Sequence, residues 1–149
     1  DKHWKTILHN YSKAPFFGQY KEYFETLYSS VPGNNLSEIN RHFLQNICNL
    51  LGIKPQLLRS EDLHLQGDRN ERLIDACRKL GADVYLSGPA ARIYIDEDLF
   101  AQNGIKVEWM NYDNYPEYNQ LYPPFEHSVS IIDLILNEGP DAWKYMKSF

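Results

Sequence analysis

The chain has 149 residues, is 43% hydrophobic and 23% charged, and carries 20 acidic against 15 basic residues, a formal net charge of -5. That length corresponds to one domain able to bury a core without disulfides or metal. The acidic balance, with no run of Lys or Arg, argues against a nucleic-acid-binding surface, and no stretch of about 18 apolar residues is available for membrane insertion.

In chain order, Trp4, Ile7, Leu8 and Tyr11 mark a helix over 2–13, interrupted by Pro15. The opening Asp1-Lys2-His3-Trp4 reads as the interior of a helix and has neither an initiator Met nor a signal pattern, so the chain is read as a fragment of a longer protein. Phe17, Tyr20, Tyr23, Phe24, Leu27 and Tyr28 form a broad aromatic stripe on a second helix over 16–29. Leu36, Ile39, Phe43, Ile47, Leu50 and Leu51 define a third helix over 36–51, stopped by Gly52. Cys48 and Cys77 fall on apolar helical faces and read as buried thiols of a reducing compartment, which places the protein in the cytoplasm.

A short strand is expected over 56–60. Asp68 followed by Glu71 has the spacing of a capping box and opens a helix that runs to Leu80 and ends at Gly81. A strand over 83–87, a short helix started by Asp96 or Asp98, and a strand over 105–110 follow, the last alternating apolar with charged residues as if one face were wet. Residues 113–127 read as an irregular loop rich in Tyr, Pro and Asn. A helix over 130–136 follows, then a break at Gly139-Pro140 and a closing helix over 141–147. Strands alternating with helices predict an α/β fold: a short parallel sheet of about three strands with flanking helices, preceded by a helical N-terminal part, in a single domain over 1–149.

In open α/β sheets, ligands bind beyond the carboxyl ends of the strands. That rule directs attention to Ser87-Gly88-Pro89, to Asn111-Tyr112 and to Arg59-Ser60. Ser87 and the backbone around Gly88 could face an anionic group, or Gly88 could serve a plain turn through its conformational freedom. Arg92 could hold a phosphate or carboxylate in its planar fork, or be a solvated surface residue. Tyr94 could line the pocket or pack on the sheet edge. Asp96 is the first candidate catalytic carboxylate and Asp68 the second, although each is also placed to cap a helix. Tyr118 and Gln120, near a tyrosine cluster of Tyr112, Tyr115 and Tyr122, could cover a sugar, since a loop of that length is generally functional or disordered. Ser130 and Asp133 have nucleophile-and-base chemistry beside His127, but their spacing is that of a cap opening an apolar helix. No nucleotide-binding glycine fingerprint is present, so no cofactor is expected. The five histidines lack metal-ligand spacing, so no metal is expected either, His64 beside Glu61 and Asp62 being only a faint suggestion.

Several segments in order carry a resemblance. They are Glu71-Arg72-Leu73-Ile74-Asp75-Ala76-Cys77, Leu80-Gly81-Ala82, Tyr85-Leu86-Ser87-Gly88, Tyr94-Ile95-Asp96, Phe100 with Gly104-Ile105, then Tyr118, Gln120, Phe125 and 130–139, with Tyr11, Ala14-Pro15 and Phe16 near the start. Together they resemble the C-terminal part of the WbqC-like family, bacterial proteins often encoded in surface-polysaccharide gene clusters. The family's N-terminal Gln-Pro-Tyr-Phe-Pro type motif has no match here, in keeping with a fragment. The resemblance implies a transferase of O-antigen assembly that moves glycine or another small acyl group to an activated amino sugar. The implied partners are a nucleotide-linked sugar or acyl donor, with the absent N-terminal section or a second copy as a further contact. A rival reading is a non-catalytic binding or scaffold module whose partner surface is the stripe Phe17, Tyr20, Phe24 and Tyr28.

Overall fold

The computed structural model describes residues 2–147, which fold into two compact units: residues 2–56 with 114–147, and residues 57–113.

The first unit is helical: α1 (Lys2–Tyr11), α2 (Phe17–Ser29), α3 (Leu36–Leu50) and α6 (Ile131–Glu138), followed by a 3-10 segment, Gly139–Tyr145, where a helix over 141–147 was expected. Its centre is α6, in which Ile132 through Asn137 are all buried, as befits a helix apolar on every side. Against it lies α2, with Phe17, Phe24 and Leu27 buried. Trp4 of α1 stacks on Phe17 and Tyr28, ring centroids 6.4 and 6.2 Å apart. Helix α1 stops at Tyr11, two residues short of the expected end. The linker before α2 is drawn onto α6 by a Phe16 N–H bond to the Leu136 carbonyl, 3.0 Å. Because Phe24 is 0% exposed and Tyr20 and Tyr28 are half-buried in the same cluster, the aromatic stripe is core rather than an open partner surface.

Helix α3 has the strongest sequence periodicity and yet no fully buried residue. Asn35 caps it by accepting from the Ser37 and Glu38 amides, and Tyr23 ties it to α2 by donating to the Asn46 carbonyl at 2.7 Å. Phe43, Ile47, Leu50 and Leu51 meet the core, but Leu36 is 70% exposed. An amphipathic helix covering only one flank of a core buries only part of its stripe.

The second unit contains α4 (Arg69–Leu80), β1 (Val84–Ser87), a 3-10 turn over Pro89–Ile93, α5 (Glu97–Gln102) and β2 (Lys106–Trp109). Asp68 and Glu71 form the expected capping box, and Gly81 ends α4 in the left-handed region at φ 65°. The two strands are parallel, in register Val84 with Lys106 through Ser87 with Trp109, and α5 lies in the crossover between them, as parallel pairing requires. Ile74, Cys77, Ala91, Ile95, Phe100 and Ile105 make the core. Burial raises the Cys77 thiol pKa, so that residue is a packed hydrophobe rather than a nucleophile. Cys48 is half-buried. On β2, Lys106 and Glu108 form the wet face and pair with each other at 2.7 Å.

The α/β architecture is as expected, but the sheet has two strands, not three. Residues 56–60 join no ladder: Leu58 is 46% exposed, and two leucines offer too little apolar surface to hold an edge against the sheet.

Candidate functional site

The carboxyl ends of β1 and β2 come together in the second unit. Ser87 pairs with Trp109, and its carbonyl accepts the Met110 amide at 2.8 Å. Gly88 takes φ -72° and ψ 148°, ordinary extended backbone, so this turn makes no use of glycine's left-handed freedom. A Cβ there would meet the Tyr112 hydroxyl at an unstrained 3.6 Å. Pro89 then starts the 3-10 turn that seats Ala91 in the core and leaves Arg92 outside.

Arg92 lies over the Trp109 ring, 4.6 Å from its centroid, while the indole N–H donates to Glu97 Oε1 at 3.2 Å. Two residues on, the exposed Tyr94 ring carries a second guanidinium, that of Arg69, also at 4.6 Å. Asn70 fastens this second pair: its Nδ2 donates to the Tyr94 carbonyl at 3.1 Å, and its Oδ1 accepts the Asp96 amide at 3.2 Å. Asp96 caps α5 by accepting from the Leu99 amide at 3.0 Å. Asp68 caps α4 through the Asn70 and Glu71 amides at 2.9 and 3.1 Å.

A second polar constellation sits in the helical unit and centres on Asp133, 5% exposed on α6. Its Oδ2 accepts from the Tyr118 hydroxyl at 2.6 Å and from Gln120 Nε2 at 3.1 Å, and the Tyr11 hydroxyl also bonds the carboxylate. Burial first, then the bond to Asp133, pushes the Tyr11 pKa up to about 12; the same two causes raise Tyr118 further. Both hydroxyls therefore stay protonated donors at neutral pH. Gln120 extends the network into the loop, since its Nε2 donates to the Glu126 carbonyl and its Oε1 accepts the Glu126 amide, at 2.9 and 2.8 Å. The Tyr118 ring packs edge-on against Phe125 and Tyr145, at 5.1 and 5.6 Å. This arrangement keeps a carboxylate dry and uses it to hold two elements of an otherwise irregular loop.

Of the residues singled out from sequence, Ser87, Gly88, Arg92, Tyr94, Asp96 and Asp68 belong to the strand-bearing unit. Tyr118 and Gln120 belong to the helical one, where they meet on Asp133. Ser130 accepts the Ile132 amide at 3.3 Å, which is its expected capping role, whereas Asp133 turns inward instead of completing the box. His127 lies edge-on to Phe125, centroids 4.7 Å apart. Sequence reasoning passed over Arg69, Trp109, Tyr11 and the inward role of Asp133. The strand-end rule could have found Trp109, and an acid set among Ile131, Ile132, Leu134, Ile135 and Leu136 announces its own burial. Nothing local marks the other two.

A shallow hollow of about 390 Å³ beside α4, lined by Gln66, Ile74, Asp75, Arg78 and Leu99 among others, contains none of the predicted residues. Among the described residues no three His, Cys, Asp or Glu side chains gather closely enough to hold a metal ion, and no helix is long and apolar enough to cross a membrane.

Comparison with known proteins places these features in a family. No solved structure matches the chain. An uncharacterized protein of Mycobacterium tuberculosis, Rv1507c, is 40% identical over 145 residues, which is 97% of this chain and 63% of that relative, so the chain spans less than two thirds of the relative's length. The family model described as "WbqC-like protein family" matches residues 1–145, and with nearly every residue inside the match, the chain belongs to that family.

Proposed function

We propose that this chain forms part of a transferase of bacterial surface-polysaccharide biosynthesis, acting at the cytoplasmic stage of O-antigen and lipopolysaccharide assembly. It passes glycine or another small acyl group to the amine of an activated, nucleotide-linked amino sugar. The amine nitrogen attacks the carbonyl carbon of the acyl donor and forms a C–N bond. The bond from that carbon to the leaving group breaks, the leaving group takes the electron pair, and the amine proton passes to a base. Most of the acceleration would come from holding donor and amine together.

The observation that carries this reading is the meeting of two parallel strand ends at Ser87-Gly88, with Arg92 displayed on Trp109 and Tyr94 exposed beside it, where α/β sheets hold ligands. Ser87, Gly88, Arg92 and Tyr94, all in the strand-bearing unit, would position the nucleotide-linked substrate. Asp96 is the carboxylate nearest these residues along the chain and the first candidate base, with Asp68 second. The test uses both this chain and the longer Mycobacterium tuberculosis relative, incubated with nucleotide-linked amino sugars and a panel of acyl and aminoacyl donors. Mass spectrometry is expected to find a sugar heavier by one small acyl group. The absence of product with every pair, together with no thermal shift, would rule the reading out.

A non-catalytic sugar- or nucleotide-binding module is the second reading. It is favoured by one observation: Asp96 and Asp68 both accept backbone amides at helix starts, which commits them to structure. A thermal shift with an amino-sugar nucleotide but no product from any donor would select it. Asp96→Asn that keeps the cap yet abolishes product would select the transferase.

A further inference from the structure

Two guanidiniums, Arg92 in the turn after β1 and Arg69 at the start of α4, lack what an acidic protein would ordinarily supply. The chain has 20 acidic residues against 15 basic ones. Yet among the described residues neither arginine forms an ion pair of the kind that joins Lys79 to Asp75, Lys106 to Glu108 and Lys144 to Asp141. The acids flanking them are turned elsewhere. Asp68 accepts the Asn70 and Glu71 amides, Glu71 accepts the Asp68 amide at 3.0 Å, Asp96 accepts the Leu99 amide, and Glu97 accepts the Trp109 indole N–H.

Each guanidinium instead lies over a ring, its central carbon 4.6 Å from the centroid of Tyr94 or Trp109. A guanidinium held over a ring and not spent on a carboxylate keeps its forked N–H donors for another anion, the chemistry that takes phosphate oxygens in pairs. The two platforms share one frame. Asn70, next to Arg69, bonds both the Tyr94 carbonyl and the Asp96 amide, and Tyr94 lies two residues from Arg92 on the same turn. Side chains held this way lose little further freedom on binding an anion.

We propose that Arg69 and Arg92 are a phosphate-binding pair that takes a diphosphate ester. This deepens, and rests on, the reading that a nucleotide-linked sugar binds at the strand ends. Nucleoside diphosphate sugars and lipid-linked diphosphates share the chemistry. The test therefore titrates the 149-residue chain by calorimetry with inorganic pyrophosphate, with a uridine diphosphate amino sugar, and with vesicles containing a polyprenyl diphosphate. Arg69→Gln and Arg92→Gln are each expected to weaken pyrophosphate binding by roughly tenfold or more, the loss of charge-assisted bonds. Arg92→Lys should fall nearly as far, since a lysine keeps the charge and loses the fork. Arg41→Gln, an equal charge change on the exposed face of α3, should leave binding unaltered. Circular dichroism of each variant excludes loss of fold.

Wild-type chain that ignores pyrophosphate overturns the pair, as does an Arg41→Gln loss equal to the others, which would mean general charge attraction. Tighter binding of the uridine diphosphate sugar than of the vesicles assigns the ester to a nucleotide, and the reverse assigns it to a lipid; equal indifference to both overturns the ester. Failure here is separable from failure of the transferase reading. Product formed at wild-type rate by Arg69→Gln and Arg92→Gln sinks the pair alone, while tight diphosphate binding with no product from any donor sinks the transferase alone.

Discussion

Replacing Tyr118 by Phe deletes one oxygen and keeps the ring, so it isolates the bond to Asp133. That bond is short, 2.6 Å, and its acceptor is a carboxylate only 5% exposed. A hydrogen bond to a charged group contributes about 1.5–3 kcal/mol net. Gln120 and Tyr11 continue to serve the carboxylate after the change, so it is not orphaned and the loss falls near the lower end, about 1.5–2 kcal/mol. The edge-on contacts of the ring with Phe125 and Tyr145 survive, so no packing loss is added. For a chain of this size the melting temperature should drop by roughly 3–8 °C. Urea unfolding followed by tryptophan fluorescence measures the difference as a lower midpoint at unchanged slope. A double-mutant cycle with Asp133→Asn then separates the pairwise coupling from other effects. A loss below about 0.5 kcal/mol, the range of ordinary surface substitutions, would show that the Asp133 network does not depend on this hydroxyl and would refute the reasoning.

The same network makes the protein sensitive to alkali. Tyr11 is held protonated to about 12, against 10 for an unperturbed tyrosine, and Tyr118 is raised in the same direction. Because the folded state binds these protons more tightly than the unfolded state, their contribution is complete below pH 10 and is lost as pH rises towards 12. Urea midpoints measured across that window should decline, and less steeply in Tyr11→Phe; a flat profile would contradict this. Two glycines supply a paired test. Gly81 and Gly139 both have positive φ, 65° and 55°, but a Cβ at Gly81 would meet nothing within 4 Å whereas one at Gly139 would overlap the Phe16 ring. Gly81→Ala should cost about 1–2 kcal/mol from backbone strain alone, and Gly139→Ala about 2–5 kcal/mol with overpacking added, read from the same urea curves. Equal costs would mean that Phe16 yields freely.

Local signals were legible without coordinates. Asp68 with Glu71, Asp96 and Ser130 read as helix starts because a cap joins a side chain to amides two or three residues away. Gly81 reads as a stop for a similar reason. Strands 84–87 and 106–109 were expected within a residue or two of where they lie, since β-branched and aromatic runs between turns carry that information over a few positions. The α2 stripe could be recognised, but whether it was core or an open surface depended on α6, more than 100 residues later, packing over it.

Amino-acid order alone thus determined helices α1 to α6, the caps at Asp68, Asp96 and Ser130, the two real strands and the residues clustered after Ser87. Tertiary structure decided what those residues touch. It left 56–60 without a strand partner, set Arg92 on Trp109 and Arg69 on Tyr94, and turned Asp133 away from its cap to Tyr118, Gln120 and Tyr11. The physical reason is distance along the chain. A cap or a stripe is satisfied within one or two turns of backbone, but a buried carboxylate or an exposed guanidinium takes whatever group packing brings beside it, and that group can come from anywhere in the sequence.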